Sequence, residues 1–207
     1  MRAIVVQKAI AKTPVEDVAD QLHSYPEFYF LRHGLTDANL RGLTCGGGWD
    51  VDLSPAGFSQ AFSVAQGPLK KCFAVKTICS SPMKRAKQTT HVVKAILQVP
   101  VVVVEDFREI MVGEWERRPY HELPDPMVVK LYDPPGGESL AAFDQRVFAA
   151  LKQALTNPSP ILIVAHGGVW VALTRTLKLS DKMIDNCVLQ KVWHSKESGK
   201  WHSEEIT

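Results

Sequence analysis

The stretch Phe28-Tyr29-Phe30-Leu31-Arg32-His33-Gly34 decides the fold of this chain. Its first four residues form an apolar, aromatic-rich run, which is typical of a buried β-strand. The run ends in a cation, an imidazole and a glycine. These groups fit poorly in a core but well at the carboxyl edge of a sheet, where open α/β folds bind their ligands. We therefore predict that Arg32 and His33 lie at the end of a central strand, where Gly34 allows a sharp turn or a close approach.

Strands and helices alternate along the rest of the chain. Apolar runs predict a second strand over 75–80, a short buried strand over 101–104 and the most apolar strand over 161–165. Four helices are predicted to begin at Ser54-Pro55, Ser81-Pro82, 139 and 169, and to end near 67, 97, 155 and 179. This alternation is typical of a three-layer α/β/α sandwich with a mostly parallel central sheet.

The remaining segments carry weaker signals. The glycine-rich stretch 35–49 is predicted as a loop over the first strand's end, 106–133 as irregular and 134–137 as a plain loop. The first of the four helices carries an apolar stripe of the kind that faces a core: Phe58, Ala61, Phe62 and Ala65. Two antiparallel strands are predicted about Ser198-Gly199, and a short helix after Thr13-Pro14.

The composition is that of an ordinary globular protein. With 207 residues, 45% hydrophobic and 22% charged, the chain can bury a sizeable core. We predict a single domain over 1–207, with 1–27 as an N-terminal extension of unknown role. The net charge of +2 indicates no nucleic-acid partner. No membrane association or secretory signal is predicted, because no run of 18 apolar residues occurs and Lys8 interrupts the first apolar stretch.

The cysteines indicate a reducing environment. Cys45, Cys72, Cys79 and Cys187 form no CxxC pair and no zinc-type spacing with histidine. We therefore expect a cytoplasmic protein with no metal site, and we also expect no cofactor. Cys45 lies among glycines and is expected to be exposed. Nothing in the sequence indicates an oligomeric state.

Three predicted strands end in polar groups of one kind. The first ends in Arg32-His33-Gly34, the second leads through Ser80-Ser81-Pro82 to Arg85, and the last ends in His166-Gly167-Gly168. Because parallel strands end at one edge, two guanidiniums, two imidazoles and helix N-termini converge on one pocket. Guanidinium forks and helix N-termini bind phosphate and other tetrahedral anions. The sequence therefore predicts a phosphate site.

These motifs, taken in order, resemble those of the histidine phosphatase superfamily, whose fold is called phosphoglycerate mutase-like. The resemblance runs from about residue 28 to about 195. It is carried by the following stretches: Leu31-Arg32-His33-Gly34 with Thr36 and Asn39, Asp50 to Gly57 with Gln60-Ala61, Ser80-Ser81-Pro82 with Arg85-Ala86, Gln88 and Thr89, Arg108-Glu109 with Gly113, Trp115 and Glu116, Gly136-Gly137-Glu138-Ser139, and Val164-Ala165-His166-Gly167-Gly168.

The resemblance implies a covalent phosphatase mechanism. His33 would attack phosphorus and carry the phosphoryl group, which requires a neutral ring held in one tautomer. Arg32, Arg85 and His166 would hold the phosphoryl oxygens. Glu109 would protonate the leaving alkoxide and then activate water. The expected substrate is a small phosphorylated metabolite.

The resemblance also suggests residues that contact phosphate or the rest of the substrate. Asn39 would add a donor to the phosphate, although Asn39 and Thr36 are also candidates for shaping the loop. Gly167, which follows the second histidine in its motif, is a further candidate for binding phosphate or substrate. Arg117 and Arg118 are candidates for the substrate's non-phosphate part.

The chain departs from the family pattern at Leu35, where Glu is common, at Asp52, where Pro is usual, and at Arg117, where Gly is usual. None of these positions is a core catalytic group. Two alternatives to a phosphatase nevertheless stay open at this point. One is a phosphoglycerate-type mutase, disfavoured because the stretch between Glu116 and Pro134 is short. The other is a catalytically silent phosphate-binding regulatory protein.

Overall fold

A mixed sheet lies at the centre of the computed structural model, which describes residues 25–71, 75–123, 133–180 and 183–207. Within these residues the sheet has six strands in the order β3-β2-β4-β1-β5-β6. The strands are β1 (Phe28–Arg32), β2 (Thr77–Ser80), β3 (Val101–Val103), β4 (Ile161–Ala165), β5 (Leu189–Ser195) and β6 (Lys200–Glu205). The first four are parallel to one another, whereas β5 runs antiparallel to β1, and β6, at the edge of the sheet, runs antiparallel to β5.

The strand register brings three polar strand ends together. Arg32 in β1 pairs with Ala165 in β4, and the His33 amide donates to the Ala165 carbonyl at 2.9 Å. The Ser81 amide, just after β2, donates to the Val164 carbonyl at 2.9 Å. The predicted convergence at one sheet edge is therefore confirmed.

Helices cover both faces of the sheet. The described helices are α1 (Asp37–Leu40), α2 (Pro55–Gln66), α3 (Lys84–Leu97), α4 (Leu140–Ala154) and α5 (Gly167–Leu177). Side chains alternate along β1: Phe28 and Phe30 pack with α4 and α5, whereas Tyr29 and Leu31 pack with α2 and α3. The three-layer α/β/α fold is confirmed.

Two helix starts use serine caps, and a third does not. Ser54 accepts a hydrogen bond from the Gly57 amide and Ser139 from the Ala142 amide, as expected for N-caps. The prediction that Ser81-Pro82 opens a helix is wrong by two residues, because α3 follows Met83 without a side-chain cap. The Ser81 hydroxyl is engaged elsewhere.

The stripe predicted on α2 is half correct, because Ala61 and Ala65 are buried but the two phenylalanines are not. Its buried residues are Gly57, Ala61, Val64 and Ala65, whereas Phe58 and Phe62 are 40% and 55% exposed. The physical reason is close contact: a Cβ on Gly57 would collide with the Leu35 backbone, so only the small-residue side of α2 fits against the loop after β1.

Other segments differ in smaller ways. The strand β3 is an edge strand and is not buried, with Val103 45% exposed. The stretch predicted as a loop after β1 contains the short helix α1, because Thr36 and Asn39 form a capping box. The antiparallel tail strands are confirmed. The helix predicted after Thr13-Pro14 lies outside the described residues. No helix in those residues is long and apolar enough to cross a membrane.

Candidate active site

A cavity of about 360 Å³ lies at the carboxyl ends of β1 and β4. Its polar floor includes Arg32, His33, Arg85 and Glu109. Its described walls are largely apolar and include Ile110, Val112, Trp115, Leu123, Leu140, Phe143, Val171 and Met183. Four of the five residues predicted to be catalytic thus line one cavity, and the fifth, His166, packs against His33 with ring centroids 5.2 Å apart.

His33 is held as a neutral ring with one free nitrogen. The side chain is buried, and its Nδ1 lies 2.7 Å from the Gly34 carbonyl oxygen, which can only accept, so Nδ1 carries the proton. Burial, then Arg85 and Arg32, holds the pKa of His33 well below its usual value. Nε2 is left as a lone-pair nitrogen facing Arg85, whose Nε donates to it at 3.2 Å.

The guanidinium of Arg85 is fixed by backbone carbonyls. Arg85 is 1% exposed, and its Nη2 and Nη1 donate to the carbonyls of Gly46 at 3.0 Å and Trp49 at 3.3 Å. Burial lowers the pKa of Arg85, and the Glu109 carboxylate opposes that shift. The glycine-rich loop therefore serves as the scaffold of this cation.

Two buried nitrogen atoms beside His33 have no hydrogen-bond partner among the described residues. Arg32 donates from Nη1 to the Ile184 carbonyl at 2.7 Å, but its buried Nε is unpaired. His166 is fully buried and its Nδ1 is likewise unpaired. Unpaired buried donors are costly unless a ligand accepts from them.

Ser81 holds the buried ring of His166. Its Oγ lies 2.7 Å from His166 Nε2 and accepts from the Met83 amide at 3.3 Å. A hydroxyl oxygen can accept twice and donate once, so in the tautomer that a phosphate site needs, the hydroxyl donates to Nε2 and Nδ1 of His166 carries the ring proton. Burial, then Arg85 and His33, lowers the pKa of His166 well below its usual value.

Glu109 reaches the start of α5. Its Oε2 accepts from the Gly168 amide at 3.0 Å, and its Oε1 accepts from the Ile110 amide at 2.9 Å. A Cβ on Gly168 would collide with Oε1 of Glu109, so the glycine permits this approach. The carboxylate is thereby fixed at the cavity wall.

The residues predicted to bind substrate are placed unevenly. Asn39 and Gly167 line the cavity. Thr36 is fully buried, and its hydroxyl donates to Asn39 Oδ1 at 2.9 Å and caps α1. Arg117 and Arg118 are exposed and line no described part of the cavity. Arg117 lies over the Trp49 ring at 5.2 Å, and Arg118 pairs with Glu122 at 4.0 Å.

The three departures from the family pattern also lie outside the described lining. The Leu35 amide donates to Gln60, and Asp52 accepts from Gln88 at 2.9 Å. Arg117 adopts a positive φ of 66°. None of the three removes a contact of His33 or Glu109.

Two contributors were missed in the sequence. Ser81 was read as part of a helix start, and Asn186 carried no signal because nothing near it in sequence marks it. Asn186 Nδ2 donates to the His33 carbonyl at 2.9 Å, across 153 residues of sequence. Only folding could reveal that contact.

Cys45 is buried, so the prediction that it is exposed is wrong. Cys45 is 8% exposed rather than accessible, and it lines the cavity. Burial raises its pKa, so the thiol stays protonated at neutral pH. Among the described residues, no cluster of three or more His, Cys, Asp or Glu side chains is arranged to hold a metal ion.

Comparison with known proteins gives a consistent family match. The model of the histidine phosphatase superfamily (branch 1) matches residues 28–202. The chain is 32% identical to the phosphatase PhoE of Bacillus subtilis, over 83% of this chain and 89% of the relative. It is 27% identical to the adenosylcobalamin/alpha-ribazole phosphatase of Escherichia coli, over 86% of this chain and 89% of the relative.

A solved structure shares the fold. Mycobacterial glucosyl-3-phosphoglycerate phosphatase, in complex with VO3, aligns with a TM-score of 0.73 at 23% identity. The alignment covers 88% of this chain and 98% of that chain.

Proposed function

Since this chain belongs to the histidine phosphatase superfamily (branch 1) and is a phosphatase of small phosphorylated metabolites, we propose that it cleaves phosphomonoesters through a phosphohistidine formed on His33. The observation that carries the proposal is the state of the His33 ring. Its Nδ1 proton is bound to the Gly34 carbonyl, so Nε2 keeps its lone pair. A neutral imidazole with a free nitrogen is what nucleophilic attack requires.

Substrate binding places the phosphate among donors. The unpaired Arg32 Nε and His166 Nδ1 donate to its oxygens, and the Arg85 Nε–H, which faces His33 Nε2, donates to the phosphate that approaches that nitrogen. Asn39, whose Nδ2 faces Tyr120 at 3.4 Å, is available as a further donor. These donors stabilise the charge that develops on the phosphoryl oxygens in the transition state.

In the first chemical step, His33 Nε2 forms a bond to phosphorus while the bond from phosphorus to the leaving oxygen breaks. Protonated Glu109 gives its proton to that oxygen, so the alcohol leaves neutral and Glu109 becomes a carboxylate. Covalent capture splits one difficult displacement into two easier steps.

In the second step, water attacks the phosphorus of phosphohistidine. The Glu109 carboxylate takes a proton from that water while the bond between phosphorus and Nε2 breaks, which regenerates neutral His33 and protonated Glu109. Inorganic phosphate leaves. The hydrogen bonds from the Gly168 and Ile110 amides keep the carboxylate in place for both roles.

We also propose a reducing, cytoplasmic location. Cys45, Cys79 and Cys187 are unpaired, and burial raises the pKa of Cys79 and Cys187 to about 12. Thiols in that state resist oxidation and disulfide exchange, so they act as packing groups.

The first test compares His33→Ala with wild type on 4-nitrophenyl phosphate in the presence of EDTA. Wild type should turn over, and the variant should lose about 10³-fold or more of kcat, as expected for removal of a nucleophile. Phosphohistidine does not survive an acid quench. The intermediate is therefore formed from substrate with a labelled phosphoryl group and trapped by an alkaline quench. His91→Ala, an exposed histidine on α3, serves as the control. Retained activity in His33→Ala would contradict the proposal.

A further inference from the structure

Arg146 on α4 makes five hydrogen bonds, one for every N–H of its guanidinium. Its Nε and Nη2 bind the two carboxylate oxygens of Glu138 at 2.7 and 2.8 Å. Its Nη1 donates to the carbonyls of Asp106 at 2.7 Å and Arg108 at 2.8 Å. The second N–H of Nη2 reaches the carbonyl of Glu109 itself at 3.2 Å.

The Glu138–Arg146 pair is mostly shielded from water. The side chains are 16% and 21% exposed, and the guanidinium lies over the Phe143 ring at 4.7 Å. Phe143 lines the catalytic cavity. A bidentate pair in this setting is screened less than a surface ion pair and has a fixed geometry.

These bonds fix the chain on which Glu109 is carried. The segment from Asp106 to Glu109 follows the edge strand β3 and has no sheet partner of its own in the described residues. Three of its carbonyls accept hydrogen bonds from the Arg146 guanidinium. The Glu138 amide also donates to the Met111 carbonyl at 2.7 Å, which ties the segment on the other side of Glu109.

We propose that Arg146, oriented by Glu138, is the positioning residue for Glu109, an inference that rests on the proposed role of Glu109 as acid and base. Arg146 fixes the backbone of Glu109, and the Gly168 amide fixes its carboxylate. The acid is thus held from both ends against the leaving oxygen. The Gly-Gly-Glu-Ser motif at 136–139 gains a function through this pair.

The substitution Arg146→Lys tests the geometry rather than the charge. Lysine keeps the cation but cannot form the fork with Glu138 and reach three carbonyls at once. Glu138→Gln is a milder variant, which keeps one acceptor oxygen. Glu27→Gln is the control, because Glu27 forms a partly buried ion pair with Lys191 at 2.9 Å on β5, away from the cavity.

The measurement is kcat/KM on two substrates, since this parameter reports steps up to phosphorylation of His33. The nitrophenolate of 4-nitrophenyl phosphate leaves without a proton, whereas the alkoxide of benzyl phosphate needs one. With Arg146→Lys we expect kcat/KM for benzyl phosphate to fall about 10- to 100-fold, which is part of the roughly 10²- to 10⁴-fold contribution of a general acid, and to fall about threefold or less for 4-nitrophenyl phosphate. Glu138→Gln should also lower the ratio of kcat/KM for benzyl phosphate to kcat/KM for 4-nitrophenyl phosphate, but by a smaller factor.

Equal losses on both substrates, or no loss on either, would overturn the positioning role. If Arg146→Lys fails to fold by circular dichroism, Glu138→Gln decides the question by the same ratio. Glu109→Gln supplies the reference signature. If wild type forms no phosphohistidine, the proposed function has failed, whereas a wild type that turns over with an unchanged substrate ratio in both variants refutes Arg146 alone.

Discussion

The His33 imidazole illustrates how surroundings set the chemistry of one side chain. In water a histidine is partly protonated near neutral pH, and its protonated ring has no lone pair to attack with. Burial removes the hydration that stabilises the cation, and Arg85 and Arg32 repel it. The same two arginines that hold phosphate thus keep the nucleophile neutral.

The position of the Glu109 carboxylate requires that residue 168 has no side chain. Gly168→Ala should lower kcat/KM for benzyl phosphate at least about tenfold, because the new Cβ displaces Oε1 of Glu109. The free energy of unfolding should stay unchanged or rise by up to about 1 kcal/mol, since alanine is favoured over glycine in a helix. Steady-state kinetics and denaturant unfolding measure the two effects.

A double mutant separates this effect from a general disturbance. In a Glu109→Gln background, Gly168→Ala should cause little further loss on benzyl phosphate, because the displaced acid is already gone. Additive losses would mean that Gly168 acts on another part of the site.

At the scale of elements, α2 shows why periodicity alone misplaces a buried face. Apolar residues occur on two sides of the helix, Phe58 and Phe62 on one, Val64 and Ala65 on the other. The helix must lie against the loop after β1, where Gly57 and Gly34 allow backbones to touch. That contact rotates the two phenylalanines outward.

Paired substitutions on α2 should reveal this rotation. Val64→Ala should lower the free energy of unfolding by about 2 kcal/mol, because two buried carbon groups are lost at about 0.8 kcal/mol each and a small cavity remains. Phe62→Ser should change it by about 0.5 kcal/mol or less, as for an exposed position. Urea unfolding of both variants provides the measurement.

A larger cost for Phe62→Ser than for Val64→Ala would mean that the phenylalanine face is covered in solution. The N-cap variant Ser54→Ala, expected to cost about 1 kcal/mol, calibrates the helix in the same host.

At the scale of the whole molecule, the two buried histidines couple stability to pH. The pKa of both His33 and His166 is lowered in the folded protein, so below about 6.5 the unfolded chain binds more protons than the folded one. Stability from these groups is complete above that pH and declines below it. We expect a loss of up to about 1.4 kcal/mol per pH unit for each histidine.

Thermal unfolding between pH 7 and pH 5 measures this decline. His166→Asn removes one of the two titrating groups, so its stability should fall less steeply with decreasing pH than that of wild type. His91→Ala, on the exposed side of α3, should keep the wild-type slope. If stability falls as steeply with decreasing pH in His166→Asn as in wild type, groups other than His166 cause the loss of stability in acid.

Much of the fold followed from local sequence. The apolar runs of β1, β2 and β4, the cap at Ser54 and the tail hairpin are short-range signals, because hydrophobic periodicity and capping act within a few residues. The phosphate site could also be predicted from the sequence. Parallel strands end at the same edge of a sheet, so the polar residues at their ends must lie close together.

Contacts between distant segments were decided by the tertiary structure alone. The contacts of Asn186 with His33, Ser81 with His166 and Arg146 with Glu109 join residues 153, 85 and 37 positions apart. No local pattern encodes such pairs, since long-range hydrogen bonds of side chains depend on where folded elements cross. The sequence by itself thus determined which chemical groups reach the site, and packing determined their tautomers, orientation and pKa.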